Sequence, residues 1–462
     1  MKHSFDVSGQ KTTKKWPQMV AGLSAAGGAF AVGSALGWPA NALPLFVDSN
    51  SGYFPLTETE RGLVASIITI GCAISCLPIG FLMKKFGRKW TMLSLVVPFV
   101  IGWALVIFAK SFSTLFIGRF IIGIAGGAFC VSAPQYSAEI AEKEIRGIVG
   151  TFFQLLIIAG ILFSYITSAV LSLFVSSIIC GAIPIVFGII FCFMPESPVY
   201  LVITKQDDEA IKAFKWLRGN AYDPQDEINE LKNDILEKEN NQVTFLTVVR
   251  RKSTIKALII GFGLMIFQQM SGINVVIFYT TMIFELAKTG IDGKLCTIII
   301  GTVHLIATLA GALLVDKAGR KILLLISIIV MTITLICLGI FFYILDNDPE
   351  TSEKLGWLPL TSLSLYLIAF AIGYGPVPWL MLGEIYTNEY NAIASPITGA
   401  FNWGLAFIIT STFSMISGAV GLAGTFWIFA ALSILGTLFT FFLVPETKGK
   451  SINDIQRMLN GE

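Results

Sequence analysis

Charge is scarce in this sequence of 462 residues: Asp, Glu, Lys and Arg make up 13% of it, and histidine occurs twice. Hydrophobic residues make up 55% and the mean hydropathy is +0.76, which excludes an ordinary soluble globule. The seven cysteines (Cys72, Cys76, Cys130, Cys180, Cys192, Cys296, Cys337) fall in apolar runs without a Cys/His cluster of zinc type, so no metal or cofactor is expected. No nucleophile and base stand together as an enzyme would need. The net charge of +2 is spread over helix flanks rather than gathered in one patch, which argues against a nucleic-acid partner.

What the chain has is apolar length. Runs of about 20 residues, enough to span ~30 Å of hydrocarbon, recur near 19–46, 62–83, 90–109, 113–136, 147–170 and 174–194, then near 255–287, 295–315, 322–345, 357–383, 393–418 and 421–444. The expectation is an all-α membrane protein with twelve transmembrane helices. Its parts are a polar N-terminal tail (1–18), a six-helix half (19–195), a helical linker (196–254), a second six-helix half (255–444) and a C-terminal tail (445–462). The tail carries Lys2, Lys11, Lys14 and Lys15 and is followed by no small-residue cleavage site, so no cleaved signal peptide is read. Most Lys and Arg then fall on the side of the tails and linker, leaving Arg61, Lys110, Lys288, Lys294 and Lys354 opposite and Arg119 within a span. That bias places both termini in the cytoplasm.

The turn "LMKKFGRK" (82–89) returns as "LVDKAGRK" (314–321), and "PES" (195–197) returns as "PET" (445–447). Two duplicated halves are the natural source of such pairs. Between them, "DDEAIKAFKWLRG" (207–219) and "DEINELKNDILEKEN" (226–240) alternate apolar and charged positions at helical spacing, predicting short amphipathic helices.

With "GFLMKKFGRK", "PESPVYL", "QQMSGIN", "GYGPVPW" and "PETKG" in order at span boundaries, the chain resembles the sugar porter family of the major facilitator superfamily from about residue 20 to 450. "ANALP" (40–44) and "FNW" (401–403) are most similar to insect facilitated trehalose and hexose transporters. The resemblance implies the major facilitator fold, a plasma-membrane monomer embedded in the lipid bilayer, and a sugar substrate. It implies sugar contacts from Gln154, Gln268, Gln269, Asn274, Trp379, Asn402 and Trp403. Amides suit adjacent sugar hydroxyls, since each presents one acceptor and two donor hydrogens, although Asn and Gln also join helices to one another. Trp379 and Trp403 would offer flat faces to the sugar's C–H side. His304 stands where the family usually has Asn; it can line the cavity or sit satisfied at a helix contact, and if it lines the cavity, acid below about pH 6 is expected to alter transport.

Phe278 and Tyr279 resemble the family's outer lid, with bundle packing as the alternative. Arg88, Glu139, Arg146, Glu196, Arg320, Glu384 and Glu446 resemble its inner charge lattice, expected to pair between and within the halves when the inner side is closed. Asn391 replaces the family's usual Arg. Proton-driven members carry an Asp in the first span; here Pro39 occupies that place and Arg119 lacks its usual acidic partner. Facilitated uniport is therefore expected, with a proton symporter or a non-transporting sugar sensor as rivals.

"FQQMSGINVV" (267–276) concentrates the polar residues. On an unbroken helix at ~100° per residue Gln268 and Asn274 would point about 120° apart. Ser271-Gly272 is expected to break the helix and turn the second half, and the prolines of "GYGPVPW" should divide the tenth span into two half-helices.

Overall fold

The computed structural model describes residues 13–47, 52–240 and 250–461. Lys2, Lys11 and most of the N-terminal tail, together with linker residues 241–249, lie outside the described residues. Ten helices among the described residues are long and apolar enough to cross a membrane. The pair Glu58–Ser75 and Pro78–Phe86, bent by 53°, supplies one more span. The long helix Asn388–Leu443 divides at Gly421, where φ 73° and ψ 170° are not helical, and so counts twice. Twelve spans result, ordered in two sets of six.

The first set comprises Trp16–Ala42, the bent pair, Arg88–Ile107, Phe112–Ile140, Arg146–Val170 and Leu173–Phe191. The second comprises Lys252–Ala287, Gly293–Ala318, Arg320–Asn347, Leu358–Ile385 and the two parts of Asn388–Leu443. Helix starts follow local chemistry: Ser111, Ser172 and Asp292 each accept a backbone N–H of the first turn, and Thr57 with Glu60 forms a reciprocal capping box. Gly87 and Gly319 have φ of 86° and 92°, a conformation that costs glycine little. They set the two repeated turns between spans two and three and between spans eight and nine.

Among the described residues of the interval between the sets stand the helices Pro198–Ile203, Asp207–Arg218 and Gln225–Asn240. Leu201, Val202, Ala210, Ala213, Phe214 and Ile228 form their own small core. This group is tied to the first half. Lys14 N donates to Arg218 O at 2.9 Å, Arg218 meets Glu142 at 3.3 Å and Glu227 at 2.6 Å, and Lys15 bridges Glu142 and Glu144. The C-terminal helix Ile452–Asn460 is capped by Ser451 and docks on the second half by Ile455, Leu459 and a Gln456 Nε2 to Ile385 O bond of 2.8 Å. The linker and both terminal segments thus share one end of the molecule, the linker end.

Candidate functional site

The seventh span breaks where its sequence changes character. Lys252–Met270 and Ile273–Ala287 are separate helices, and Gly272 between them is left-handed at φ 85°. Phe429 lies 2.9 Å from where a Cβ on Gly272 would stand. Ser271 Oγ donates to Gln268 O at 2.7 Å, and Tyr366 Oη from the tenth span donates to Ser271 O at 2.9 Å. The tenth span breaks beside it, into Leu358–Ile372 and Val377–Ile385.

Around these two breaks four amides are wired together. Asn274 Nδ2 donates to Gln269 Oε1 at 2.6 Å, Gln269 Nε2 to Asn402 Oδ1 at 3.0 Å, and Asn402 Nδ2 to Gln268 Oε1 at 2.8 Å. Gln268 Nε2 then donates to Tyr374 O at 2.7 Å and Gly375 O at 3.1 Å in the tenth-span break. All four side chains are buried. A buried amide without partners costs roughly 2–7 kcal/mol, and this mutual pairing offsets that cost for all four.

The other expected contacts divide. Gln154 is half-buried on the fifth span, and its side chain makes no hydrogen bond among the described residues. Trp379 is 40% exposed near the start of the half-helix Val377–Ile385, with its ring over Gly399 of the eleventh span. Trp403 is half-buried against the core. His304 is buried on the eighth span, edge-on to Phe370 with ring centres 6.2 Å apart, and its Nε2 has no partner. It packs on Phe370 of the tenth span without the hydrogen bond that a satisfied helix-contact histidine would make there.

At the far end, Phe278 is fully buried in the core and Tyr279 Oη donates to Thr410 O at 3.0 Å while packing on Phe413. Tyr279 also approaches Gly62 of the second span, which packs against Ser411 O. Among the described residues two polar contacts cross between the halves, Thr281 Oγ1 to Asn41 Oδ1 at 2.6 Å and Tyr165 Oη to Ile277 O at 2.7 Å. Asn41 Nδ2 continues to Ser168 at 2.8 Å, and Thr281 to Thr297 at 2.9 Å. This seal joins spans one, five, seven and eight and was missed in the sequence. Asn41 stood inside "ANALP" as the only amide of the first span's far half, which was the available signal.

At the linker end the Arg88 and Arg320 clusters each pair within their own half among the described residues, and they repeat. Arg88 meets Glu139 at 2.8 Å, its backbone N–H reaches Glu196 at 3.0 Å, and Ser197 Oγ donates to Glu139. In the second half Arg320 meets Glu384 at 2.9 Å, its N–H reaches Glu446 at 2.9 Å, and Thr447 Oγ1 donates to Glu384 at 2.5 Å. Lys89 and Lys321 cap Cys192 O and Phe441 O in the same way. Burial pushes the Glu196 carboxyl above its ordinary value, against backbone N–H bonds from Ser197, Lys89 and Arg88. Burial acts on Glu446 too, but N–H bonds from Lys448, Arg320, Lys321 and Thr447 outweigh it and hold that carboxyl low. Among the described residues the Arg146 side chain joins neither cluster and reaches Ala141 O at 3.5 Å. In the first turn of Asn388–Leu443, Glu389 takes its cation from Arg251 at 2.6 Å, and Asn391 accepts from Ser395.

The remaining buried cation is Arg119, with no solvent exposure. It donates to Ala35 O at 2.6 Å, Val64 O at 3.2 Å and Ala65 O at 3.3 Å, and lies 5.2 Å from the Trp38 ring centre. Pro39 explains the shortest bond: lacking an N–H, it leaves Ala35 O without its helical donor. A backbone carbonyl thus stands where the resemblance would place a carboxylate.

Two six-helix sets with repeated turns, meeting around helix breaks lined with amides, have the architecture of the major facilitator type. The chain belongs to the sugar transporter family, whose model, described as "Sugar (and other) transporter", matches residues 20–459. The facilitated trehalose transporter Tret1 of Aedes aegypti is 38% identical over 448 residues, 96% of this chain and 55% of that protein. That of Culex quinquefasciatus is 37% identical over 99% of this chain and 89% of its own. The chain spans about half the length of most such relatives. Among solved structures, the xylose transporter XylE of E. coli in a partially occluded inward-open conformation is similar at 26% identity and TM-score 0.77, covering 94% of this chain and 99% of that one. XylE as a proton:xylose symporter bound to 6-bromo-6-deoxy-D-glucose is similar at TM-score 0.73, covering 96% and 98%.

Proposed function

We propose that this protein carries a neutral sugar, glucose, another hexose or trehalose, across the plasma membrane as a monomeric uniporter by alternating access. The reading is carried by the buried chain of four amides at the paired helix breaks. Gln154, Gln268, Gln269, Asn274, His304 and Asn402 would meet hydroxyls, and Trp379 and Trp403 the sugar's C–H faces. The linker end, with its repeated clusters of charge and both tails, is taken as cytoplasmic. The conformation with its polar seal at the far end then corresponds to one open inward, and the Arg88 and Arg320 clusters would meet across the halves when the protein turns outward, with Arg146 free to join them.

Uniport over proton symport is supported by Arg119, whose partners are backbone carbonyls that do not titrate. The symport reading has in its favour the similarity to XylE, a proton:xylose symporter. Labelled glucose, xylose and trehalose supplied to proteoliposomes with and without an inward proton gradient distinguish them. Equilibration without accumulation is expected; accumulation above equilibrium under the gradient overturns uniport, and binding without flux identifies a sensor instead.

A further inference from the structure

We propose that the first repeated turn, with the linker helices behind it, is a binding site for an anionic phospholipid. The two copies of the turn share "GRK", so each serves as a control for the other. In register, Lys84, Phe86 and Trp90 of the first copy stand where the second has Asp316, Ala318 and Ile322. The bend needs none of the three, since the second copy makes it without them: Gly87 and Gly319 have φ of 86° and 92°. Phe86 is nevertheless 52% exposed and Trp90 64% exposed, two large rings kept in the open at the end of the second span and the start of the third. That depth is the headgroup level of a bilayer, where aromatic rings are enriched.

Behind the rings lies a cavity of about 440 Å³ between the turn and the linker helices, lined also by Tyr200, Lys212 and Trp216. The two carboxylates of its lining are engaged, Glu209 with Lys212 at 2.7 Å and Glu196 with the backbone N–H groups of Arg88 and Lys89. Lys85 Nζ lies 5.2 Å from the Phe86 ring centre, and Lys89 Nζ lies 5.7 Å from that of Trp90 while donating to Cys192 O. Those partners are neutral. Among the described residues no carboxylate pairs with Lys84, Lys85 or Lys89, so the rim of the site lacks a counter-ion. An anionic headgroup supplies it, and each lysine beside a membrane surface contributes about fivefold to the affinity for acidic lipid. A soluble anion would meet the same lysines but leave the rings uncovered; acyl chains cover them, continuing past Phe81, which is 67% exposed on the helix that ends at Phe86. Tyr200 joins this site to the inner charge cluster, since its Oη donates to Lys85 O at 3.2 Å and its ring centre lies 5.4 Å from the Arg88 guanidinium.

The test uses the full-length protein, stripped of lipid in detergent and titrated by native mass spectrometry with phosphatidylserine, phosphatidylcholine and soluble phosphoserine. The native chain should bind phosphatidylserine about tenfold or more tightly than phosphatidylcholine. Lys84→Ala and Lys85→Ala should each weaken phosphatidylserine about fivefold and leave phosphatidylcholine unchanged. Rewriting the turn as its own second copy, by Lys84→Asp, Phe86→Ala and Trp90→Ile together, should make the two lipids bind alike. In nanodiscs, the part of the fluorescence that Trp90→Phe removes should be quenched more by brominated phosphatidylserine than by brominated phosphatidylcholine at equal mole fraction. That measurement and the single lysine variants carry the test if the triple variant folds poorly. A preference for phosphatidylserine that survives the triple change, or equal quenching of Trp90 by both brominated lipids, overturns the proposal. Phosphoserine bound as tightly as phosphatidylserine overturns it too, in favour of a soluble anion.

Discussion

Pro39 shows how much one missing N–H can decide. Proline within a helix costs about 3 kcal/mol relative to alanine, so Pro39→Ala would ordinarily stabilise. Here the new N–H would compete with Arg119 for Ala35 O, and hydrogen bonds to charged groups contribute about 1.5–3 kcal/mol. The variant is expected to show less than about 1 kcal/mol of gain, and a melting temperature raised by the full propensity difference would contradict the account. Two acidic residues offer a second test at this scale. Glu446 has a depressed carboxyl, so its stabilisation is present above the ordinary value of 4.5 and lost as pH falls through the lowered one. Glu446→Gln should therefore lower thermal stability at neutral pH, with the deficit shrinking in acid. Glu196 is raised, so its charged form opposes folding above its own pKa and protonation relieves that cost as pH falls. Glu196→Gln should accordingly be the milder change at neutral pH; thermal melts of both variants across pH 3.5–7 would show opposite trends.

At the scale of elements, the seventh span turns a helix break into an aiming device. Gly272 holds φ 85° against Phe429, so a leucine there meets both backbone strain, of order 1–3 kcal/mol, and a clash. Gly272→Leu is expected to slow exchange about tenfold or more because the far half-helix carries Asn274, Tyr279 and Thr281 together. An exchange rate equal to the native one would refute this. These breaks were legible in the sequence because glycine and proline act locally, and so were the repeated turns, where "GRK" follows the second and the eighth span. The order of donation among the amides was not legible. Gln268 and Gln269 are identical in chemistry, and only the tertiary placement of Tyr374 and Asn402 assigns one to the backbone break and the other to its neighbour's side chain.

For the whole molecule, the far-end seal sets the balance between the two faces. Asn41 and Thr281 lie 240 positions apart, and no local pattern pairs them; this is why the sequence revealed the two halves but not what joins them. Asn41→Leu removes three hydrogen bonds, to Thr281, Ser168 and Tyr165 O, and leaves their partners buried, at about 1–3 kcal/mol for each unsatisfied group. The population should move toward the far-end-open form, read as an about tenfold faster labelling of Ser411→Cys by a membrane-impermeant thiol reagent from that side; unchanged labelling would dissociate the seal from the conformational balance.

The anchoring of Arg218 to Glu142 makes the linker helices an appendage of the first bundle, and each bundle closes its own charge cluster without help from the other. Covalent continuity between them is then dispensable. Two separately translated chains divided between residues 244 and 245 should find each other through the far-end seal and co-purify, whereas a first chain ended at residue 196 would leave Glu142 without Arg218 and assemble poorly.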